Sequence, residues 1–160
     1  MSDASGAYPV GRTLGGFTVE SIRGEGGMGV VYLARQEALE RPAVLKQLHK
    51  ELARDEDQVE RFRREARAAA AIHHQNVVAV YDGFVHRGTH YLASEYVDGA
   101  DLVAVLTRLR KAKLNLPIEL ACYIMSEALK GLDFAHRAVG QDGQPLNIIH
   151  RDVNLSLIHI

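Results

Sequence analysis

The chain has no tryptophan and a single cysteine, Cys122. One thiol rules out an internal disulfide and fits a reducing, cytoplasmic setting. Neither sign of charge is in excess: Lys plus Arg number 19, Asp plus Glu 20, for a net charge of -1. That balance speaks against a general nucleic-acid binder, which carries a basic surplus. No apolar run is long enough to cross a bilayer, which leaves a membrane anchor only to chain beyond residue 160. Residues 1–11 have neither the basic start nor the apolar centre of a signal peptide. There are eight histidines, but no cysteine or carboxylate joins them at zinc spacing, and the adjacent His73 and His74 cannot readily chelate one ion. No metal site is assigned. What is present is a chain of 160 residues, 47% hydrophobic and 24% charged, which can bury an ordinary globular core.

Hydrophobic period divides the chain in two. Residues 1–16 are small and polar and read as a flexible leader. Alternating or continuous apolar runs at 17–22, 30–34 and 43–48 predict strands, with a turn at Glu40-Arg41-Pro42. Asp57 is placed to cap a helix to about residue 72, with Val59, Phe62, Ala66 and Ala69 on one face. Strands follow at 77–84 and 91–96, turned at Arg87-Gly88. Beyond Asp98-Gly99-Ala100 only helices are predicted, at 102–110 and from Pro117 to about residue 136. In the second of these, Ile118, Ala121, Cys122, Met125, Leu129 and Leu132 form one apolar stripe, and Leu120, Ile124 and Ala128 form another. Such a helix is meant for burial on several sides, and Cys122 reads as a packing residue. Asp142-Gly143 suggests a hairpin. Strands around one helix, then helices alone, predict an α+β arrangement of a small sheet-rich lobe and a helical one.

Gly24-Glu25-Gly26-Gly27-Met28-Gly29 matches GxGxxG, a weak signal alone. A dinucleotide-binding turn needs a helix directly after the glycines, whereas Val30, Val31 and Tyr32 continue as a strand. A P-loop needs Gly-Lys-Ser/Thr at its end, and Val30 follows Gly29. What remains is a loop between antiparallel strands whose missing Cβ atoms would let backbone N–H groups approach phosphate.

Glu65 lies beside Phe62, Ala66 and Ala69 on the predicted helix. A carboxylate facing a core is costly unless paired, and Lys46, at the end of Ala43-Val44-Leu45, is the natural partner. Alone, Glu65 reads more readily as a solvated residue at the stripe's edge. With the glycine loop the sequence resembles the protein kinases. Gly24-x-Gly26-x-x-Gly29-x-Val31 resembles their Gly-rich loop, and Val44-Leu45-Lys46 resembles the end of their V-A-I-K strand. Glu65 falls at the glutamate of their helix αC. The resemblance implies that Lys46 holds the α- and β-phosphates of ATP and Glu65 holds Lys46. Val44 replaces the usual alanine above adenine.

Residues 91–97 resemble the strand entering the kinase hinge. This implies adenine contacts from the backbone of Glu95 and Val97, a small gatekeeper in Ser94, and a ribose contact from Asp101. Asp101 also suits the N-cap of the helix that begins at Leu102. His150-Arg151-Asp152 matches the catalytic H-R-D, so Asp152 is implied as acceptor of the substrate hydroxyl's proton. The family's magnesium-binding asparagine belongs five residues after Asp152, where Leu157 stands. Asn154 occupies the position usually filled by lysine in Ser/Thr kinases and by alanine or arginine in Tyr kinases.

The resemblance implies a kinase-like fold: a five-stranded antiparallel N-lobe over residues 17–97 with helix αC, then the first helices of a truncated helical C-lobe over 98–154. Residues 155–160 read as a non-native tail from a foreign adapter, since CTGTCTCTTATACACATC translates to all six; proline and asparagine are then expected at 155 and 157 in the gene. The implied activity is ATP- and Mg²⁺-dependent phosphoryl transfer to Ser or Thr of protein substrates, with the 160-residue fragment inactive and most metal ligands outside it. The Gly-Glu-Gly-Gly-Met-Gly loop and the insert at Asp142-Gly143 resemble bacterial eukaryotic-like kinases. The alternative is an ATP-binding pseudokinase or scaffolding module, favoured if Leu157 is native.

Overall fold

Burial alternates residue by residue along the central strands, and this gives the sheet two unlike faces. The computed structural model describes residues 9–26, 29–49, 51–140 and 143–160. The predicted loop residues Gly27 and Met28, and Asp142 of the predicted hairpin, lie outside the described residues. Strands β1 (Thr13–Leu14), β2 (Phe17–Gly26), β3 (Gly29–Gln36), β4 (Arg41–Leu48), β5 (Val80–His86) and β6 (Thr89–Glu95) form one antiparallel sheet in the order β1-β2-β3-β4-β6-β5. There are six strands where five were expected, because Thr13 and Leu14 pair with Thr18 and Phe17 inside the stretch read as leader. Leu14 is the reason: it is 1% exposed, so the strand carries a core residue of its own.

On one face, Val30, Tyr32, Ala34, Ala43, Leu45, Tyr91 and Ala93 join Leu14, Phe17 and Val19 in the core. Phe17 stacks on Phe84 with ring centroids 5.8 Å apart, and Phe84 on Tyr91 at 5.4 Å. Since β2 lies near one edge of the sheet and β5 forms the other, the sheet curls until its edges meet. The turn between β1 and β2 is drawn into this closure. A Cβ on Gly15, whose φ is +56°, would lie 2.4 Å from the Phe84 ring. Gln47 is a buried polar residue beside this core, and its Oε1 accepts hydrogen bonds from the hydroxyls of Tyr32 at 2.7 Å and Tyr91 at 3.3 Å. At the β5–β6 turn Arg87 and Gly88 have φ of +50° and +75°. Two positive φ values match a two-residue hairpin to the strand twist.

Helix α1 (Glu56–Ala70) starts one residue before the predicted cap. Asp55, rather than Asp57, caps it: its carboxylate accepts from the N–H groups of Asp57 at 2.9 Å and Gln58 at 3.3 Å. Val59, Phe62, Ala66 and Ala69 are half-buried as the periodicity predicts. Phe62 meets the ring of His90 on β6, with centroids 6.4 Å apart. Burial first, and the Arg63 cation second, hold the His90 imidazole below its ordinary value of 6.5. Above that value folded and unfolded chains both hold the ring neutral. Below it the unfolded chain takes up the proton first, so stability falls as pH drops through the depressed folded value. We expect the melting temperature to fall between pH 7 and pH 5.5, and the fall to be smaller in His90→Gln. Parallel pH profiles for the two proteins would contradict this.

The chain divides into two compact units, one holding the residues up to Ala70 with Ala79–Tyr96, the other Ala71–Val78 with Val97–Ile160. The second unit contains α2 (Leu102–Lys111) and α3 (Ile118–His136), the latter opened by Pro117 as expected. The segment Ala71–Val78 packs on α3: His74 lies 5.1 Å from the Phe134 ring centroid. Gly131 permits this approach, since a Cβ there would stand 2.9 Å from the Asn76 carbonyl oxygen. Ile124, Gly131 and Ala135 are buried, but Ile118 is 78% exposed and Leu129 58%. Cys122 is exposed too, on a side of α3 that no described residue covers. Val139 bridges to Pro145 across the turn-rich segment. Residues Leu155–Leu157 form a 3-10 turn, and Ile158 and Ile160 exchange backbone hydrogen bonds with Leu102 and Ala100 at 2.9–3.1 Å. No helix among the described residues is long and apolar enough to cross a membrane.

Candidate functional site

The glycine sequence folds as the hairpin between β2 and β3, with Gly24 opposite Val31, Glu25 opposite Val30 and Gly26 opposite Gly29. No helix follows, which is the arrangement that the continuing strand predicts. The three glycines serve different ends. A Cβ on Gly24 or Gly26 would meet nothing within 4 Å, so both face open space where a ligand can approach the backbone. A Cβ on Gly29 would fall 1.7 Å from the backbone oxygen of Gln47, so this glycine lets β3 lie close on β4.

Register places Lys46 between Val31 and Leu92, and Val44 between Leu33 and Ser94. These six side chains share the sheet face opposite the core and are half-buried. The face is an apolar floor with one cation set in it, next to a glycine hairpin. That combination suits a flat heterocycle carrying phosphates. Among the described residues Lys46 has no ion-pair partner.

The predicted pair of Lys46 with Glu65 is not made. Glu65 is exposed, and its carboxylate accepts from the Arg61 Nε at 3.0 Å, one turn earlier on α1. The reason lies in helix geometry. At 100° per residue Glu65 sits about 60° to one side of Phe62, at the edge of the buried stripe, where water and Arg61 both reach it. The solvated alternative is the one observed.

Glu95 ends β6. Its N–H donates to the Ala79 carbonyl at 2.8 Å, and its carboxylate accepts from the Ala79 N–H at 3.1 Å. The next residue, Tyr96, has the Arg23 guanidinium 5.9 Å from its ring centroid, a contact between β2 and the end of the sheet that periodicity does not reveal. In the second unit Val97 is half-buried, and Asp101 caps α2, its Oδ1 accepting from the Ala104 N–H at 2.7 Å.

His150-Arg151-Asp152 forms an exposed turn. Arg151 has φ +63°, the left-handed region that non-glycine residues seldom enter and that recurs at functional turns. The Asn154 side-chain amide donates to the Asp152 carboxylate at 3.1 Å and to its carbonyl at 3.2 Å. Its oxygen accepts from the Ser156 N–H at 3.0 Å. Asn154 thus holds the aspartate carboxylate, a role the sequence reading left unassigned. Leu157 follows in the 3-10 turn, exposed and without a donor atom. Among the described residues no three His, Cys, Asp or Glu side chains converge. Magnesium in phosphoryl-transfer sites takes only one or two protein oxygens beside the phosphates, and Asp152 with Asn154 offers such oxygens.

Comparison with known proteins agrees with this geometry. The model of the protein kinase domain family matches residues 17–158. Tyrosine-protein kinase MasK of Myxococcus xanthus is 31% identical over 159 residues, covering 98% of this chain and 25% of that protein. Serine/threonine-protein kinase PknJ of Mycobacterium tuberculosis is 40% identical over 143 residues, covering 89% of this chain and 22% of that protein. The chain thus spans about a quarter of the length of these curated relatives. The crystal structure of the M. tuberculosis PknI kinase domain superposes with a TM-score of 0.74 at 31% identity, covering 94% of this chain and 56% of that one. Fold, motif order and relatives agree: the chain belongs to the protein kinase domain family, with bacterial serine/threonine kinases among its relatives.

Proposed function

We propose that the protein carrying this chain transfers the γ-phosphoryl group of ATP to Ser or Thr hydroxyls of proteins. The observation that carries the reading is the half-buried face of Val31, Val44, Leu92 and Lys46, which has no ion-pair partner among the described residues, beside an open glycine hairpin. In this reading adenine lies on Val31 and Val44, with polar contacts from the backbone of Glu95 and Val97. Because the Glu95 N–H already bonds to Ala79, its contribution comes from the carbonyl. Backbone N–H groups of Gly24, Gly26 and Gly29 line the phosphates, with Glu25, Gly27 and Met28 completing the loop. Lys46 balances the charge of the α- and β-phosphates, and Asp101 meets the ribose hydroxyls. Asp152 takes the proton of the substrate hydroxyl as its oxygen bonds to the γ-phosphorus and ADP departs. Pairing of Glu65 with Lys46 then requires α1 to turn Glu65 away from Arg61. Magnesium, when bound, spreads the charge of the phosphate oxygens.

Ser/Thr specificity is supported by the likeness to PknJ, a serine/threonine-protein kinase, while MasK bears a tyrosine-kinase name. The test is labelled ATP, the intact protein, a generic protein substrate such as casein, and phosphoamino-acid analysis. Phosphoserine and phosphothreonine are the expected products; phosphotyrosine alone would overturn the specificity. One observation favours a second reading, an ATP-binding pseudokinase: Leu157 has no oxygen at the position of the family's metal ligand. ATP binding without phosphoryl transfer by the intact protein would select it. The 160-residue chain by itself, with that leucine, is proposed not to turn over.

A further inference from the structure

His49 follows the last residue of β4 and reaches across β3 to the glycine hairpin, where its Nε2 lies 2.7 Å from the carbonyl oxygen of Gly26. A carbonyl only accepts, so Nε2 carries the proton and donates. This holds for the neutral Nε2–H tautomer and for the imidazolium alike.

The position of His49 is determined from both sides. Before it, Leu48 pairs with Gly29, and Gln47 is pinned in the core by Tyr32 and Tyr91. The absence of a Cβ on Gly29 draws the two strands together, which brings His49 within reach of Gly26. After it, the His49 carbonyl accepts from the Ala53 N–H at 2.9 Å, starting the turn Leu52–Arg54. The imidazole therefore stands on a fixed base, while Gly26 lies at the last register pair before the loop tip.

We propose that His49 is a positioning residue for the phosphate-binding loop, a latch that holds the Gly26 carbonyl; this rests on the nucleotide-binding reading above. A peptide plane directs its carbonyl and its N–H to opposite sides. Anchoring this carbonyl on the imidazole keeps its negative end from the phosphate oxygens and fixes the plane that leads into the loop. The latch acts on phosphates and not on the purine. It sits at the surface, so it contributes little to global stability. The sequence offers no signal for it, since His49 belongs to no motif.

The test measures binding of ATP and of adenosine to the intact protein by calorimetry, for wild type, His49→Ala, His49→Gln and His49→Asn, with melting temperatures alongside. Loss of one such hydrogen bond should weaken ATP binding about threefold to tenfold in His49→Ala. Adenosine, which has no phosphates, should bind as in wild type. Gln carries an N–H at the distance of Nε2 and should restore ATP affinity; the shorter Asn should not. Unchanged ATP affinity in His49→Ala would overturn the latch, as would an equal loss for adenosine or equal rescue by Asn and Gln. A wild-type protein that binds neither ligand would instead overturn the nucleotide reading, and the latch with it.

Discussion

Lys46→Met in the intact protein should reduce phosphoryl transfer by about 10²- to 10³-fold or more, the scale on which removing one preorganised charge stabiliser acts. The same variant should melt within about 2 °C of wild type, because the stem of the lysine and the methionine side chain cover the same half-buried face. The structure separates the two effects. Lys46 has no ion-pair partner among the described residues, so its removal leaves no buried charge exposed. Were Glu65 its permanent partner, the variant would strand a carboxylate. Kinetics and calorimetry on the same preparation decide the matter. An unchanged rate would refute the phosphate contact, and a large drop in melting temperature would show that Lys46 is structural.

Gly29→Ala should be the most damaging single methyl group in the hairpin. The added Cβ would fall 1.7 Å from the Gln47 oxygen, and that oxygen is backbone. No side chain can swing away, so β3 must separate from β4 where Gly29 pairs with Leu48. Forced backbone shifts of this kind cost about 3 kcal/mol or more, and in a unit of this size the melting temperature should fall by roughly 10 °C or more. Gly24→Ala supplies the contrast, since its Cβ meets nothing within 4 Å and the melting temperature should hold. Equal melting of the two variants would show that the hairpin is plastic at Gly29. The pair also distinguishes glycines used by the fold from glycines kept clear for a ligand.

The two positions illustrate what the sequence could and could not convey. The pattern GxGxxG followed by Val30-Val31-Tyr32 defines a hairpin, since period-2 burial continues directly from Gly29. It does not show that the third glycine serves strand packing, a matter of distance to a residue eighteen positions away. The α1 stripe is legible from Val59, Phe62, Ala66 and Ala69 because helical period is local. The Lys46–Glu65 pair rests on the cost of a core-facing carboxylate and on family resemblance, and there local geometry prevails: Arg61 is one turn away on the same helix and needs no tertiary movement. Leu14 was hidden in a leader rich in small residues, because one apolar residue makes no period, yet it seats the sixth strand. Asp101 was legible as a cap, and it caps α2. The hold of Asn154 on Asp152 and the reach of His49 to Gly26 arise from turn geometry, for which the sequence carries no periodic signal.

The meeting of Phe17 with Phe84 has a further consequence for how the first unit forms. The rings that complete the sheet come from opposite ends of that unit's chain, with α1 and two hairpins between them. Its last contacts therefore carry the greatest loop-closure entropy and are made only once the rest is in place. Such a topology favours slow, all-or-none folding. The edge strands β1 and β5 carry unpaired backbone, and until Phe17 and Phe84 stack the apolar face between them is bare as well, so aggregation during refolding should depend on how long the two rings stay apart.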